Sequence, residues 1–196
     1  MLISGLQKLT LLDYPGKVAC TVFTPGCNLR CPFCHNAPLV LPELVGQDTD
    51  EEQVLSFLRK RQGVLDGVAI TGGEPLLHAA FIRAVVLQLR ALGQPCKVFL
   101  ETNGTLYREL ASILDITDII SMDIKLPSIV SRPQWEAHAR FLELARTKDL
   151  YVKLVVSAET TEEEFEKSVA LLEEQAPDAL FIIQPVTPYG GCKAAS

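Results

Sequence analysis

Short runs of β-branched and aliphatic residues alternate along this chain with segments of helical periodicity, and this alternation restricts the fold more than any other feature. Six runs read as strands: Lys17 to Thr24, Val68 to Thr71, Lys97 to Glu101, Thr117 to Asp123, Leu150 to Val156 and Leu180 to Gln184. They are nearly continuous in apolar character, as strands covered on both faces are. Helical patterns separate them at Asp50 to Arg61, Leu76 to Leu92, Leu106 to Leu114, Pro133 to Arg146 and Thr161 to Gln175. Gly93 fits a helix C-terminal glycine, and Thr161-x-x-Glu164 fits a capping box. Repeated strand–helix alternation predicts parallel strands joined by right-handed crossovers. Six such units are too few to close an eight-stranded barrel. A doubly wound sheet or an open barrel remains, and the expectation carried forward is an α/β open partial (β/α)6 TIM-like barrel of parallel strands.

The length, 196 residues, suits a single domain over residues 1–196, with 1–16 as a lead-in and 190–196 as a flexible tail. A net charge of -6 argues against a broad phosphate-binding face and hence against nucleic acid as a partner. No apolar stretch reads as a membrane span, and Met1 to Ser4 carries no basic, signal-like start, so the expected location is the cytoplasm. There the six cysteines should stay reduced, and clustered ones point to metal or catalysis rather than to disulfides.

In α/β folds the chemistry collects at the carboxyl ends of parallel strands. The unusual motifs of this chain fall there. Cys27-x-x-x-Cys31-x-x-Cys34 follows the first run, Thr71-Gly72-Gly73-Glu74-Pro75 the second and Glu101-Thr102-Asn103-Gly104 the third. Asp123-Ile124-Lys125 ends the fourth, and Gln184-Pro185 follows the last. Five unrelated motifs at equivalent places imply one shared pocket, flanked by a long loop from Ala37 to Thr49. Three thiols within eight residues can hold a zinc ion with His35 as fourth ligand, or a [4Fe–4S] cluster with one iron left open. Adjacent Cys34 and His35 depart from the usual zinc-ligand spacing. Cys20 reads as a small core residue, Cys96 as a strand start and Cys192 as part of the tail; His78 and His138 read as surface or satisfied core residues.

The cysteine spacing, with Phe33 just before the third cysteine, resembles the signature of the radical S-adenosylmethionine (SAM) superfamily, and Gly72-Gly73-Glu74-Pro75 resembles its SAM-binding turn. The run Gly26 to Asn36, the opening Leu6 to Gly16 and the ending Gln184 to Pro188 are similar to activating enzymes of glycyl-radical proteins, those of anaerobic ribonucleoside-triphosphate reductase among them. The resemblance implies a [4Fe–4S] cluster on Cys27, Cys31 and Cys34 that cleaves SAM reductively. It implies SAM contacts from Phe33, Gly72, Gly73, Glu74, Glu101, Thr102, Asn103, Asp123, Lys125 and Gln184, with Lys125 also in a catalytic role. It implies a glycyl-radical enzyme as protein substrate, possible examples being the anaerobic ribonucleotide reductases, and a flavodoxin or ferredoxin-type reductant. A radical SAM catalyst on a small molecule, such as a deazapurine-forming enzyme, is the alternative; a zinc-binding interaction module is a third reading.

Anaerobic reconstitution is expected to give about four irons with matching sulfide per chain. Replacing Cys27, Cys31 or Cys34 with Ala should abolish the intact cluster, and replacing Cys20, Cys96 or Cys192 should leave it. Stoichiometric zinc without sulfide would refute the cluster.

Overall fold

A computed structural model describes residues 3–41, 49–91, 93 and 97–187. Among these residues lies one sheet of seven strands, ordered by sequence. They are β1 (Gly5–Thr10), β2 (Ala19–Thr24), β3 (Gly67–Gly72), β4 (Lys97–Thr102), β5 (Ile119–Ile124), β6 (Asp149–Val156) and β7 (Leu180–Pro185). Strands β2 to β7 run parallel, whereas β1 pairs antiparallel with β2. The sheet does not close, because β1 and β7 form its two edges. The expected open barrel of six parallel strands is therefore present.

One strand, β1, was not expected; it falls in the lead-in. Its Gln7, Lys8 and Leu9 are exposed, so an edge strand of this kind leaves no continuous apolar run to read. The helices are α1 (Ala37–Val40), α2 (Glu51–Lys60), α3 (Ala79–Ala91), α4 (Tyr107–Ile113), α5 (Pro127–Val130), α6 (Trp135–Ala145) and α7 (Glu162–Gln175). Several boundaries differ from the sequence expectation by a few residues at most, and two of the differences are in helix starts. Residues Pro75–His78 form a 3-10 turn before α3, and α6 begins at Trp135 rather than Pro133. The capping box on Thr161 and Glu164 is formed in both directions. Of the expected loop Ala37 to Thr49, residues 42–48 lie outside the described residues, as do Cys96 and Cys192.

Alternation along the strands sorts their side chains onto two faces. Even-numbered residues such as Cys20, Val68, Leu100, Ile120 and Val152 join the large core beneath the helices. The concave side takes the odd-numbered residues of β2 to β6 and, by register, the even-numbered ones of β7. At its amino-terminal end Ala19, Ala69, Phe99 and Ile119 form a second, smaller apolar cluster. Tyr14, delivered by the lead-in, plugs that end: its ring lies 5.4 Å from Phe99, and Phe99 lies 6.3 Å from Tyr151. Thr21 donates to the Asp13 carboxylate beside it. At the carboxyl end the same odd positions turn polar, with Thr71, Glu101, Asp123 and Lys153. The concave side is thus apolar and filled below, polar and open above.

Tyr14 is 4% exposed, so its removal leaves a void that the surrounding strands cannot close. Tyr14→Ala is expected to cost roughly 3–5 kcal/mol. That corresponds to a fall of roughly 10 °C in the thermal midpoint of a chain of this size. A change below about 2 °C would show that Tyr14 does not fill the barrel floor.

Candidate active site

The cysteine loop leaves β2 at Thr24 and is tied down by backbone hydrogen bonds. The Gly26 N–H donates to Leu39 O at 2.7 Å, and Cys34 N–H donates to Cys31 O at 3.1 Å. The Arg30 guanidinium folds back onto the carbonyls of Cys27 (2.7 Å) and Leu29 (2.8 Å). Polar side chains from the end of β4 complete the anchoring. Asn103 Nδ2 donates to Asn28 Oδ1 at 2.8 Å and approaches Cys27 Sγ at 3.8 Å, while Asn28 Nδ2 donates to Thr105 Oγ1 at 2.9 Å. His78 Nε2 lies 2.7 Å from Pro25 O, and Asn36 Nδ2 donates to Gly72 O at 3.1 Å.

The glycine turn after β3 locks onto this loop. Glu74 N–H donates to Gly26 O at 2.7 Å, and Gly73 N–H donates to Thr24 O at 2.9 Å. A Cβ on Gly73 would stand 1.8 Å from Gly26 O, inside any allowed contact. Gly72 has φ +118, a conformation that side chains rarely adopt. The reason for glycine at position 73 is therefore contact with the cysteine loop.

Glu74 is fully buried and does not line the cavity. Its carboxylate accepts from Leu76 N–H (3.0 Å), Thr102 Oγ1 (2.8 Å) and Asn103 N–H (2.8 Å). It thus fastens the glycine turn to the end of β4. Burial outweighs these three donors and pushes its pKa up to about 7.

The open end of the barrel holds a cavity of about 280 Å³. Cys27, Cys31, Cys34, Phe33, Gly72, Gly73, Glu101, Thr102, Asn103, Asp123, Lys125 and Gln184 all line it, so every residue singled out from sequence except Glu74 reaches it. Burial pushes the Cys27 and Cys31 thiols up, and for Cys31 the Lys125 charge opposes this. Among the described residues no three His, Cys, Asp or Glu side chains converge tightly enough for one metal ion. A zinc site with bonds of about 2.3 Å needs sulfurs about 3.8 Å apart. In a cluster each thiolate is carried on a separate iron, and three thiols lining one cavity are donors of the right chemistry for it.

The same cavity is lined by a quartet of charges. Lys125 Nζ is 2.8 Å from Asp123 Oδ2, and Lys153 Nζ is 3.4 Å from Asp123 Oδ1 and 3.5 Å from Glu101. Burial works against the charges of Asp123, Lys125 and Lys153, yet Lys125 and Lys153 hold the Asp123 carboxyl below its usual range, and Asp123 holds Lys125 above its own. Lys153 was missed in the sequence. A lone lysine within the apolar run of β6, directly in register with Asp123, was the available signal. His138, read as a surface or satisfied core residue, is indeed buried on α6, and its contact with the backbone of Asn103 places it beside the site.

The family model of the Radical SAM superfamily matches residues 21–172. The chain is 33% identical over 185 residues to the 7-carboxy-7-deazaguanine synthase of Geobacter sulfurreducens, covering 84% of this chain and 72% of that enzyme. It is 32% identical over 127 residues to the pyruvate formate-lyase-activating enzyme of Clostridium pasteurianum, covering 63% of this chain and 52% of that one. Among solved structures, archaeal TYW1 superposes with a TM-score of 0.51 at 15% identity over 80% of this chain and 61% of that one, a likeness of fold.

The raised Glu74 pKa has a consequence for stability. Between about 4.5 and about 7 the folded protein keeps a proton that the unfolded chain releases. The contribution of this group is full below that window and is lost as pH rises through about 7, by up to roughly 3 kcal/mol. Urea unfolding of the metal-free protein should therefore show wild type losing ground to Glu74→Gln between about pH 5 and pH 8. A difference independent of pH would mean that the three donors hold the carboxylate at its ordinary pKa.

Proposed function

Because this chain belongs to the radical SAM superfamily, we propose that it holds a [4Fe–4S] cluster on Cys27, Cys31 and Cys34 and cleaves SAM bound beside it. The observation that carries this reading is the meeting of three thiols, the interlocked glycine turn and a set of fixed charges in one cavity. Three protein thiolates leave one iron of such a cluster free for a cofactor. Bound there, the cluster and SAM would supply one-electron cleavage of SAM and the removal of a hydrogen atom from a substrate. The chain's own residues bind and orient. Asn103 Nδ2 points at Cys27 Sγ, the kind of hydrogen bond to sulfur that tunes a cluster's potential. Phe33, 7% exposed, offers an apolar wall. Asp123, Lys125, Lys153 and Glu101 present paired charges suited to the ammonium, carboxylate and sulfonium of SAM, in surroundings where such contacts are stronger than in water.

Two substrate classes follow. The more extended of the two matches, over 84% of this chain, is to an enzyme named for making 7-carboxy-7-deazaguanine, which supports a small, purine-like product. Cys34-His35-Asn36 and the unclosed side next to β7 support the second class, a glycine-bearing loop of a partner such as an anaerobic ribonucleotide reductase, which would bring its own closure. Either needs a one-electron reductant, and a flavodoxin or ferredoxin fits that need.

Dithionite-reduced protein is expected to release 5′-deoxyadenosine and methionine from SAM, and Gly73→Val to lose this by displacing the cysteine loop. The substrate classes separate in two anaerobic assays. Mass spectrometry should find 7-carboxy-7-deazaguanine formed from the small-molecule fraction of an extract if the first holds. Electron paramagnetic resonance should find a glycine-centred doublet on the partner if the second holds. Intact cluster with no SAM cleavage under any reductant would overturn the proposed chemistry.

A further inference from the structure

His138 is completely buried on α6 and is not among the residues that line the cavity. Its Nε2 lies 3.3 Å from the carbonyl oxygen of Asn103 and 3.5 Å from the backbone nitrogen of Lys125. It therefore stands between the ends of β4 and β5, whose residues reach the site in two ways. Asn103 turns its side chain onto Asn28 and Cys27, and Lys125 turns its ammonium onto Asp123. The other ring nitrogen, Nδ1, is buried without a hydrogen-bond partner. An unpartnered buried polar atom is costly, and an apolar side chain of similar size would fill the volume without that cost. Packing alone does not account for an imidazole here.

Resting on the reading of this cavity as a SAM site, we propose that His138 is a positioning residue: it holds the backbone carbonyl of Asn103, so that the Asn103 side chain meets the cysteine loop, and the site beside it receives the cofactor, in the correct geometry. The shorter of its two contacts suits a neutral ring that donates from Nε2 to Asn103 O. Burial, with Lys125 beside it, pushes the pKa down to about 4, so the ring is uncharged and does not repel that ammonium. Glu74 grips the N–H of Asn103 from one side while His138 grips its carbonyl from the other. The two buried groups together fix the peptide from which Asn103 reaches Cys27.

The test compares reconstituted wild type with His138→Leu, His138→Gln and His138→Asn. Iron and sulfide content and the thermal midpoint report on the fold. The SAM dissociation constant and the SAM-induced change in the paramagnetic resonance spectrum of the reduced cluster report on the site. His138→Leu is expected to keep its iron and to bind SAM about tenfold more weakly, the loss typical of one buried hydrogen bond. His138→Gln, whose amide N–H can replace Nε2–H, should recover most of the affinity. His138→Asn, too short to reach, should not, and it also carries the test if the Leu variant fails to fold. Equal SAM affinity in wild type, His138→Asn and His138→Gln would overturn the positioning role. Absence of SAM binding by the wild type is a different result and would overturn the cofactor reading instead.

Discussion

The carbonyl oxygen of Gly26 occupies the place where a Cβ on residue 73 would stand, 1.8 Å away. Around this contact the loop after β2 and the turn after β3 share a backbone ladder, Gly73 to Thr24 and Glu74 to Gly26. Two loops that would otherwise be independent become one body, so the thiols and the glycine turn keep a fixed distance. The joined unit is held on a third strand by Glu74, whose buried carboxylate takes three donors, two of them from Thr102 and Asn103 at the end of β4. Burying a carboxylate is costly unless its oxygens are engaged, and here the engaged oxygens are what binds the loops together.

The second constraint is register. Parallel pairing sets Asp123 opposite Lys153, and alternation puts both on the concave face with Glu101. Two acids and two bases then satisfy one another at the open end, which lets charges stay ionised in a partly buried cavity. A slip of one residue between β5 and β6 would turn one member into the helix-covered core and leave the other unpaired. The apolar lower half of the same face, capped by Tyr14, supplies the rigidity that such alignment needs.

Openness follows from strand number. Six parallel strands and one antiparallel strand do not bring β1 and β7 together, and the cavity is bounded on one side by exposed Gln184 of the last strand. A relative named for a small deazapurine product and one named for activating a protein match this chain, each over more than half its length. One scaffold serving both kinds of reaction is understandable when function resides in the residues grafted at one end of the strands rather than in the fold itself.

Sequence alone determined the strand–helix order, the open barrel and the cavity position, because strands covered on both faces write long apolar runs and parallel strands place their loops at one end. It also determined the three cysteines and the glycine turn, since local spacing fixes what a short loop can direct at one place. Tertiary structure decided the rest. The edge strand β1 carries no apolar run, and the plug made by Tyr14 depends on where the lead-in crosses the barrel floor. Glu74 shifts from a cavity residue to a buried fastener because its partners, Thr102 and Asn103, are 28 and 29 residues away in the chain. Lys153 and His138 join the site across similar separations, Lys153 to Glu101 across 52 residues and His138 to Asn103 across 35. Partners so far apart leave no periodic trace in sequence; only strand register and helix packing bring them within hydrogen-bonding reach.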